Sequence, residues 1–233
     1  MELKRFVPGV NLLCSIGYGY VPSIALDGYR PETFLMQYKR CLSYYAKKDM
    51  GRFMIASMPI YSSSWQRSIE FLESVGFEPI AKPGVNPNSH NEIVIFAKTF
   101  TDEELANIAS GIAIMFEQYS GCMCVDCKLY RDTGKSRMRL VYSSVSCGLT
   151  LIHIPNEDFD IEQYKTIYRQ YNYGIGRFIM ASIPTNWSKA NEFLKTAGFE
   201  EALKGVEPNS GQEIIVLIKT LSDEELLKLT NRY

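Results

Sequence analysis

Cys122, Cys124 and Cys127 form a C-x-C-x-x-C run, the spacing in this chain that comes closest to a metal centre. Zinc takes about four ligands, and Cys147 or His153 would supply the fourth. Strand geometry argues the other way. Cys122 and Cys124 would share one face of a strand while Cys127 points to the opposite face. No equivalent run occurs near the start of the chain, and the six cysteines fit buried free thiols of a reducing compartment better than ligands or disulfides. Arg52 and Arg177 are the next candidates, because each follows a glycine in the closely similar segments GRFMIASMP and GRFIMASIP. A retained arginine suits contact with an anion or a partner. The competing reading, which the repeated Asp and Glu residues favour, is a structural ion pair.

The third group is aromatic and basic. Of fifteen tyrosines, Tyr38, Tyr44, Tyr45, Tyr164, Tyr168, Tyr171 and Tyr173 fall on two equivalent segments, beside Lys39, Arg40, Lys47, Lys48, Lys165 and Arg169. Exposed tyrosine next to lysine and arginine can stack on bases or bind protein. A simple amphipathic helix with a solvated basic face explains the same pattern. Tyr44, Lys47, Lys48, Arg52, Tyr168, Arg169 and Arg177 are therefore the candidate partner-binding residues. Catalytic patterns are thin. The chain has two histidines, His90 and His153, and no Ser-His-Asp order, nucleophile elbow or phosphate-binding lysine loop. Glu92 and Glu213 recur, but one carboxylate per segment makes no acid–base pair. No catalytic residue and no cofactor is assigned.

The elements that must position these residues come in two sets, because the chain contains itself twice. EFLESVGFE (residues 70–78) answers EFLKTAGFE (192–200), VNPNSHNEIVIFAKT (85–99) answers VEPNSGQEIIVLIKT (206–220), and TDEEL (101–105) answers SDEEL (222–226). About half of the aligned positions are identical. Two copies of this length mean two units rather than a solenoid, with boundaries at 1–110 and 111–233. Pro31-Glu32 starts a helix carrying Phe34, Leu35, Tyr38 and Leu42 at helical spacing. RFMIASMPI reads as a buried strand, SSSWQRSIEFLESVGF as a helix ended by Gly76, and residues 79–91 as a loop. NEIVIFAKT reads as a strand, and Thr101 with Glu104 as a capping box on a further helix. The second set repeats the order behind an enlarged front of three strands. Trp65 and Trp187 mark helix starts and pack between helix and sheet, and PNSHN and PNSGQ are turns. The alternation predicts an α/β fold with a mixed sheet in each half.

Composition sets outer limits. The chain has 233 residues, is 46% hydrophobic and 22% charged, and carries a net charge of −1. That balance is ordinary for a globular protein and excludes adhesion to nucleic acid by bulk charge. The start MELKRFVPGVNLL is a short apolar stretch interrupted by Pro8 and Gly9, which does not read as a signal peptide. With no membrane-length apolar run, the expectation is a cytoplasmic protein without membrane contact.

The order strand, helix, strand, helix ending in Gly-Phe, then a last apolar strand resembles the C-terminal half of the GCN5-related N-acetyltransferase (GNAT) fold. The resemblance rests on EFLESVGFE and EFLKTAGFE with the PNSHNEIVIF and PNSGQEIIVL segments. It covers about the last 55 residues of each copy, and the PNS-strand-Lys segment is similar to short GNAT-like proteins of bacteriophages. The resemblance implies two tandem GNAT-like mixed-sheet domains that arose by internal duplication. In that family a glycine-rich turn and a helix start hold the pyrophosphate of acyl-CoA. Here the corresponding stretches are DGYRPETF and HIPNEDFDIEQY, where Pro31 and Pro155 remove N–H donors and Glu32, Glu157, Asp158 and Asp160 occupy the helix starts. The expected function is a non-catalytic binding protein, of phage character and acting in a host cytoplasm on a host component or nucleic acid. The alternatives are an N-acetyltransferase using acetyl-CoA through a remodelled donor site, and an RNA- or DNA-binding protein. The chain would be a monomer with pseudo-twofold halves or a small homo-oligomer.

Overall fold

The computed structural model describes residues 10–16, 19–26, 38–39, 42, 51–60, 65–87, 90–111, 139–144, 148–154, 157 and 176–230. The predicted α/β class holds, with two sheets and helices against each. In the first sheet, β1 (Val10–Ile16) and β2 (Gly19–Leu26) form a hairpin, followed by β3 (Phe53–Ile60), β4 (Glu78–Pro79), β5 (Gly84–Val85) and β6 (Glu92–Thr99). Its order is β2-β1-β3-β6-β4, and β5 pairs with β6. Helix α1 (Trp65–Ser74) links β3 to β4, and α2 (Asp102–Gly111) follows β6. The second sheet has β7 (Arg139–Ser144), β8 (Leu149–His153), β9 (Phe178–Pro184), β10 (Glu200–Val206) and β11 (Glu213–Thr220), in the order β10-β11-β9-β8-β7. Helix α3 (Ser188–Thr196) links β9 to β10, and α4 (Asp223–Thr230) follows β11.

The central strands are apolar on both faces because both faces are covered. Residues alternate sides along a strand. In β3 and β6, Met54, Ala56, Met58, Val94 and Phe96 turn to a core with Phe71 and Leu72 of α1, Phe77 and Phe100. In β9 and β11, Ile179, Ala181, Ile183, Ile215 and Leu217 do the same with Ala190 and Leu194 of α3, Phe199 and Leu226 of α4. The intervening residues form a third core. Phe53, Ile55, Ile93, Ile95 and Ala97 of the first sheet meet Leu149, Leu151, Phe178, Met180, Ile214, Val216 and Ile218 of the second. The layers therefore run helix, sheet, sheet, helix. Burying a side chain of this size contributes about 1.5–3 kcal/mol, so the middle core binds the halves strongly.

Each sequence repeat builds the same local device. Gly76 and Gly198 have φ of 87° and 88°, which other residues adopt only with strain. At the end of α1, Phe77 N–H donates to Leu72 O at 2.9 Å and Gly76 N–H to Glu73 O at 3.0 Å. At the end of α3, Phe199 N–H donates to Leu194 O and Gly198 N–H to Lys195 O, each at 3.0 Å. The Gly-Phe pair is thus a Schellman cap whose phenylalanine plugs the core. The predicted capping box is present: Glu104 N–H donates to Thr101 Oγ1 and Thr101 N–H to Glu104 Oε2. Ser222 and Glu225 form its equivalent on α4. Lys98 and Lys219 tie these devices together, donating to Val75 O and Ala197 O while pairing with Glu104 and Glu225 at 2.7 Å.

Two features depart from the sequence expectation. The stretch after Phe199 forms strand β10, seven residues long, where no strand was predicted. It lies at a sheet edge with mostly exposed side chains, so it lacks the apolar signal of a buried strand. In the predicted loop at 79–91, Pro79 and Pro83 supply no N–H donor, and short β4 and β5 stand where the second half has one strand. The first of the three predicted strands at the front of the second half, and most of both predicted front helices, lie outside the described residues; Tyr38, Lys39 and Leu42 are helical.

Candidate functional site: the junction between the halves

Arg52 and Arg177 stand at the entry to β3 and β9, and each guanidinium is fixed by three elements. Arg52 Nη1 donates to Phe100 O at 2.7 Å and Nη2 to Asp102 at 2.6 Å, both in its own half. Its Nε donates to Val206 O of the other half at 2.7 Å. Arg177 reproduces the set with Leu221 O at 2.8 Å, Asp223 at 2.7 Å and Val85 O of the first half at 2.6 Å. The planar fork of arginine serves three fixed directions, which a lysine ammonium would not. These side chains are only 11% and 12% exposed, against 89% and 86% for Asp102 and Asp223. The charge-assisted bonds from these largely buried guanidiniums to backbone carbonyls therefore carry more of the energy than the ion pairs with exposed carboxylates.

Close approach across the junction requires glycine. A Cβ on Gly205 would lie 3.1 Å from Arg52 Cγ and from Phe53 Cζ. A Cβ on Gly84 would lie 2.8 Å from Arg177 Cγ and 3.1 Å from Phe178 Cζ. Each Arg-Phe pair thus lies against the glycine of the other half's edge strand. The loops that follow are turns, as expected, but they also reach across. Asn86 N–H donates to Asn91 O and His90 N–H to Asn86 O, and Glu207 with Gln212 and Gly211 repeats both bonds. Asn86 is fully buried near Gly148, and Glu207, 1% exposed, lies near Gly51. Sequence reasoning assigned Val-x-Pro-Asn-Ser only a turn. Its recurrence in both repeated segments, where a turn alone demands less, was the available signal.

The carboxylates in and around this junction have different environments. Burial works against the charged form of Glu104, but hydrogen bonds from Lys98 and Thr101 outweigh it and hold its pKa below the ordinary value; Glu225, with Lys219 and Ser222, behaves alike. Burial dominates at Glu207 and pushes its pKa up, against weaker opposing contacts with Asn209 and Arg52. Exposed Glu213 is lowered by Thr185 and Lys204.

Two open clefts flank these contacts. One of about 390 Å³ is lined by Arg52, Asp102, Leu105, Val206, Glu207, Pro208 and Gly211. The other, of about 550 Å³, lies between the ends of α1 and β6 and α2, over Tyr38, Lys98 and Phe100. Tyr38 is buried, edge-on to Phe71 and Phe77 at 5.9 and 6.2 Å, so it belongs to the core.

Of the candidate residues, the structure brings Arg52 and Arg177 to equivalent places at the junction. Tyr44, Lys47, Lys48, Tyr168 and Arg169 lie outside the described residues, as do Cys122, Cys124, Cys127 and Cys147. Among the described residues no three His, Cys, Asp or Glu side chains group as metal ligands. Glu157 accepts from Ser188 Oγ at the start of α3 at 3.3 Å. Trp187 packs against the second helix-side core and Trp65 is half-buried at the start of α1. Among the described residues no helix is long and apolar enough to cross a membrane. No protein-family model matches the chain, and no curated protein or solved structure matches it either.

Proposed function

We propose that this chain is a non-catalytic binding protein, built by duplication from two GNAT-like halves that act as one rigid body. One observation carries this reading. The polar side chains that recur at equivalent places, Arg52 and Arg177, Asp102 and Asp223, Lys98 and Lys219, Glu104 and Glu225, are spent on bonds within the protein. Residues that duplication retained thus serve the scaffold, and recognition falls to what surrounds it. In this reading Arg52 and Arg177 hold the scaffold, and the partner, a protein or nucleic acid of a host cell, meets Tyr44, Lys47, Lys48, Tyr168 and Arg169 on the front segments.

The reading is tested on two sides. Saturating acetyl-CoA should leave the melting temperature unchanged, whereas a ligand at 100 times its dissociation constant would add about 2.7 kcal/mol of stability. A clear rise in melting temperature would favour acyl transfer instead. Once a partner is in hand, alanine at Tyr44, Lys47, Tyr168 and Arg169 together should weaken its binding at least tenfold, and unchanged affinity would remove that surface. Nucleic acid as the partner would show a steep loss of affinity with salt.

A further inference from the structure

We propose that Glu207 makes the junction between the halves pH-sensitive, tight when its carboxyl is protonated and loosened when it ionises. Glu207 sits in the loop after β10 and is 1% exposed, yet its Oε2 has no hydrogen-bond partner. Its Oε1 accepts a long bond from Asn209 Nδ2, at 3.2 Å, and backbone contacts with Asn209 and Arg52 also favour the charged form, though less than burial opposes it. The carboxyl reaches the other half beside Gly51. A Cβ on Gly51 would lie 2.8 Å from Glu207 Oε2, 2.6 Å from Ser15 Oγ and 2.8 Å from Ser15 O. Both Ser15 oxygens already accept there, Oγ from Phe53 N–H at 2.8 Å and O from Gly51 N–H at 2.6 Å. An ionised carboxyl adds a further acceptor to this group, whereas a protonated one adds a donor.

Among the described residues no cation is dedicated to neutralising the charge. The charged groups facing Glu207 among the described residues are Arg52 and Asp102. Arg52 directs Nε, Nη1 and Nη2 at Val206 O, Phe100 O and Asp102, and Asp102 offsets its charge. The matching loop of the other half shows that a carboxylate is not needed to build this turn. There the position is Asn86, neutral and fully buried, with the same pair of backbone bonds. A buried charge with weak partners is costly, and a carboxyl relieves that cost by holding its proton. Burial accordingly raises the pKa of Glu207. For a raised acid the stabilisation is fully present below the unfolded pKa, about 4.3, and is lost as pH rises through the folded value.

The test is Glu207→Gln, nearly isosteric and permanently neutral, compared with the natural chain by thermal unfolding from about pH 4 to about pH 8. The variant should melt higher than the natural chain at the alkaline end, and the difference should vanish at the acid end. In parallel, amide exchange at Gly51, Phe53 and Gly211, corrected for its intrinsic pH dependence, should quicken with pH in the natural chain and not in the variant. A difference in melting temperature that is constant across pH, a variant less stable at the alkaline end, or equal exchange in both chains would overturn the proposal.

Discussion

The halves agree where their sequences repeat and part where they do not. The central strand pairs match in register: Phe53 pairs with Thr99 as Phe178 pairs with Thr220, and Phe100 N–H reaches Arg52 O as Leu221 N–H reaches Arg177 O, both at 2.9 Å. The front hairpins join differently. β1, the first strand of its hairpin, lies antiparallel to β3, whereas β8, the second strand of its hairpin, lies parallel to β9. Phe53 N–H consequently finds the Ser15 side chain, while Phe178 N–H finds the Gly148 carbonyl. Short repeated segments dictate caps and turns, but a strand's neighbour depends on which hairpin edge the chain presents. The same central strands thus accept either edge.

Large effects should fall both where the hairpins meet the central strands and in the core between the sheets. A Cβ on Gly176 would overlap the Gly148 carbonyl backbone, whereas on Gly51 it would meet the Ser15 hydroxyl and Glu207 carboxyl as well as one backbone oxygen. Overpacking against backbone leaves least room to adjust, so Gly176→Ala should cost about 3 kcal/mol or more and Gly51→Ala less, by denaturant unfolding. Equal costs would mean that the two hairpin attachments are equally yielding. Phe53→Ala and Phe178→Ala, in the shared core, are each expected to cost about 3–5 kcal/mol while leaving one cooperative transition. Two separate transitions would break the claim that the middle core unites the halves.

Arg52→Ala and Arg177→Ala should each cost about 2–3 kcal/mol through lost charge-assisted bonds to carbonyls. The exposed partners Asp102→Ala and Asp223→Ala should cost under about 1 kcal/mol, and a reversed ranking would put the energy in the ion pairs. On the acid side, the lowered pKa values of Glu104 and Glu225 mean stability that is present above the ordinary carboxylate value and lost as pH falls through the folded one. Glu104→Gln and Glu225→Gln should flatten that acid limb to a similar degree, and a large inequality would separate the halves energetically. The smallest effect concerns His90, whose φ of 56° stands where Gly211 has 68°. His90→Gly should stabilise by about 0.5 kcal/mol, relief of left-handed strain less the entropy glycine loses. Destabilisation by the same measurement would mean that His90 makes contacts that outweigh its strain.

Much of the scaffold was readable from short-range chemistry. Gly-Phe after an apolar helix, Thr-x-x-Glu before one, and unbroken apolar runs each name their own structure, because their partners lie within a few residues. Strand β10 was not readable, since Glu200, Glu201 and Lys204 give it the surface of a loop. At the candidate site, the pairing of Arg52 with a nearby acid was anticipated, but its bond to Val206 O spans 154 positions and has no local signature.

The sequence by itself determined the repeated elements, their caps and the two-sided burial of their central strands, because propensity and periodicity act over a few residues. Only the tertiary structure decided that the Val-x-Pro-Asn-Ser loops reach into opposite halves, that each arginine fastens the other half's edge strand, and that Glu207 is enclosed where Asn86 is its counterpart. Those outcomes depend on which surfaces meet when two sheets bury a shared core, and contacts across that distance leave no period in the chain.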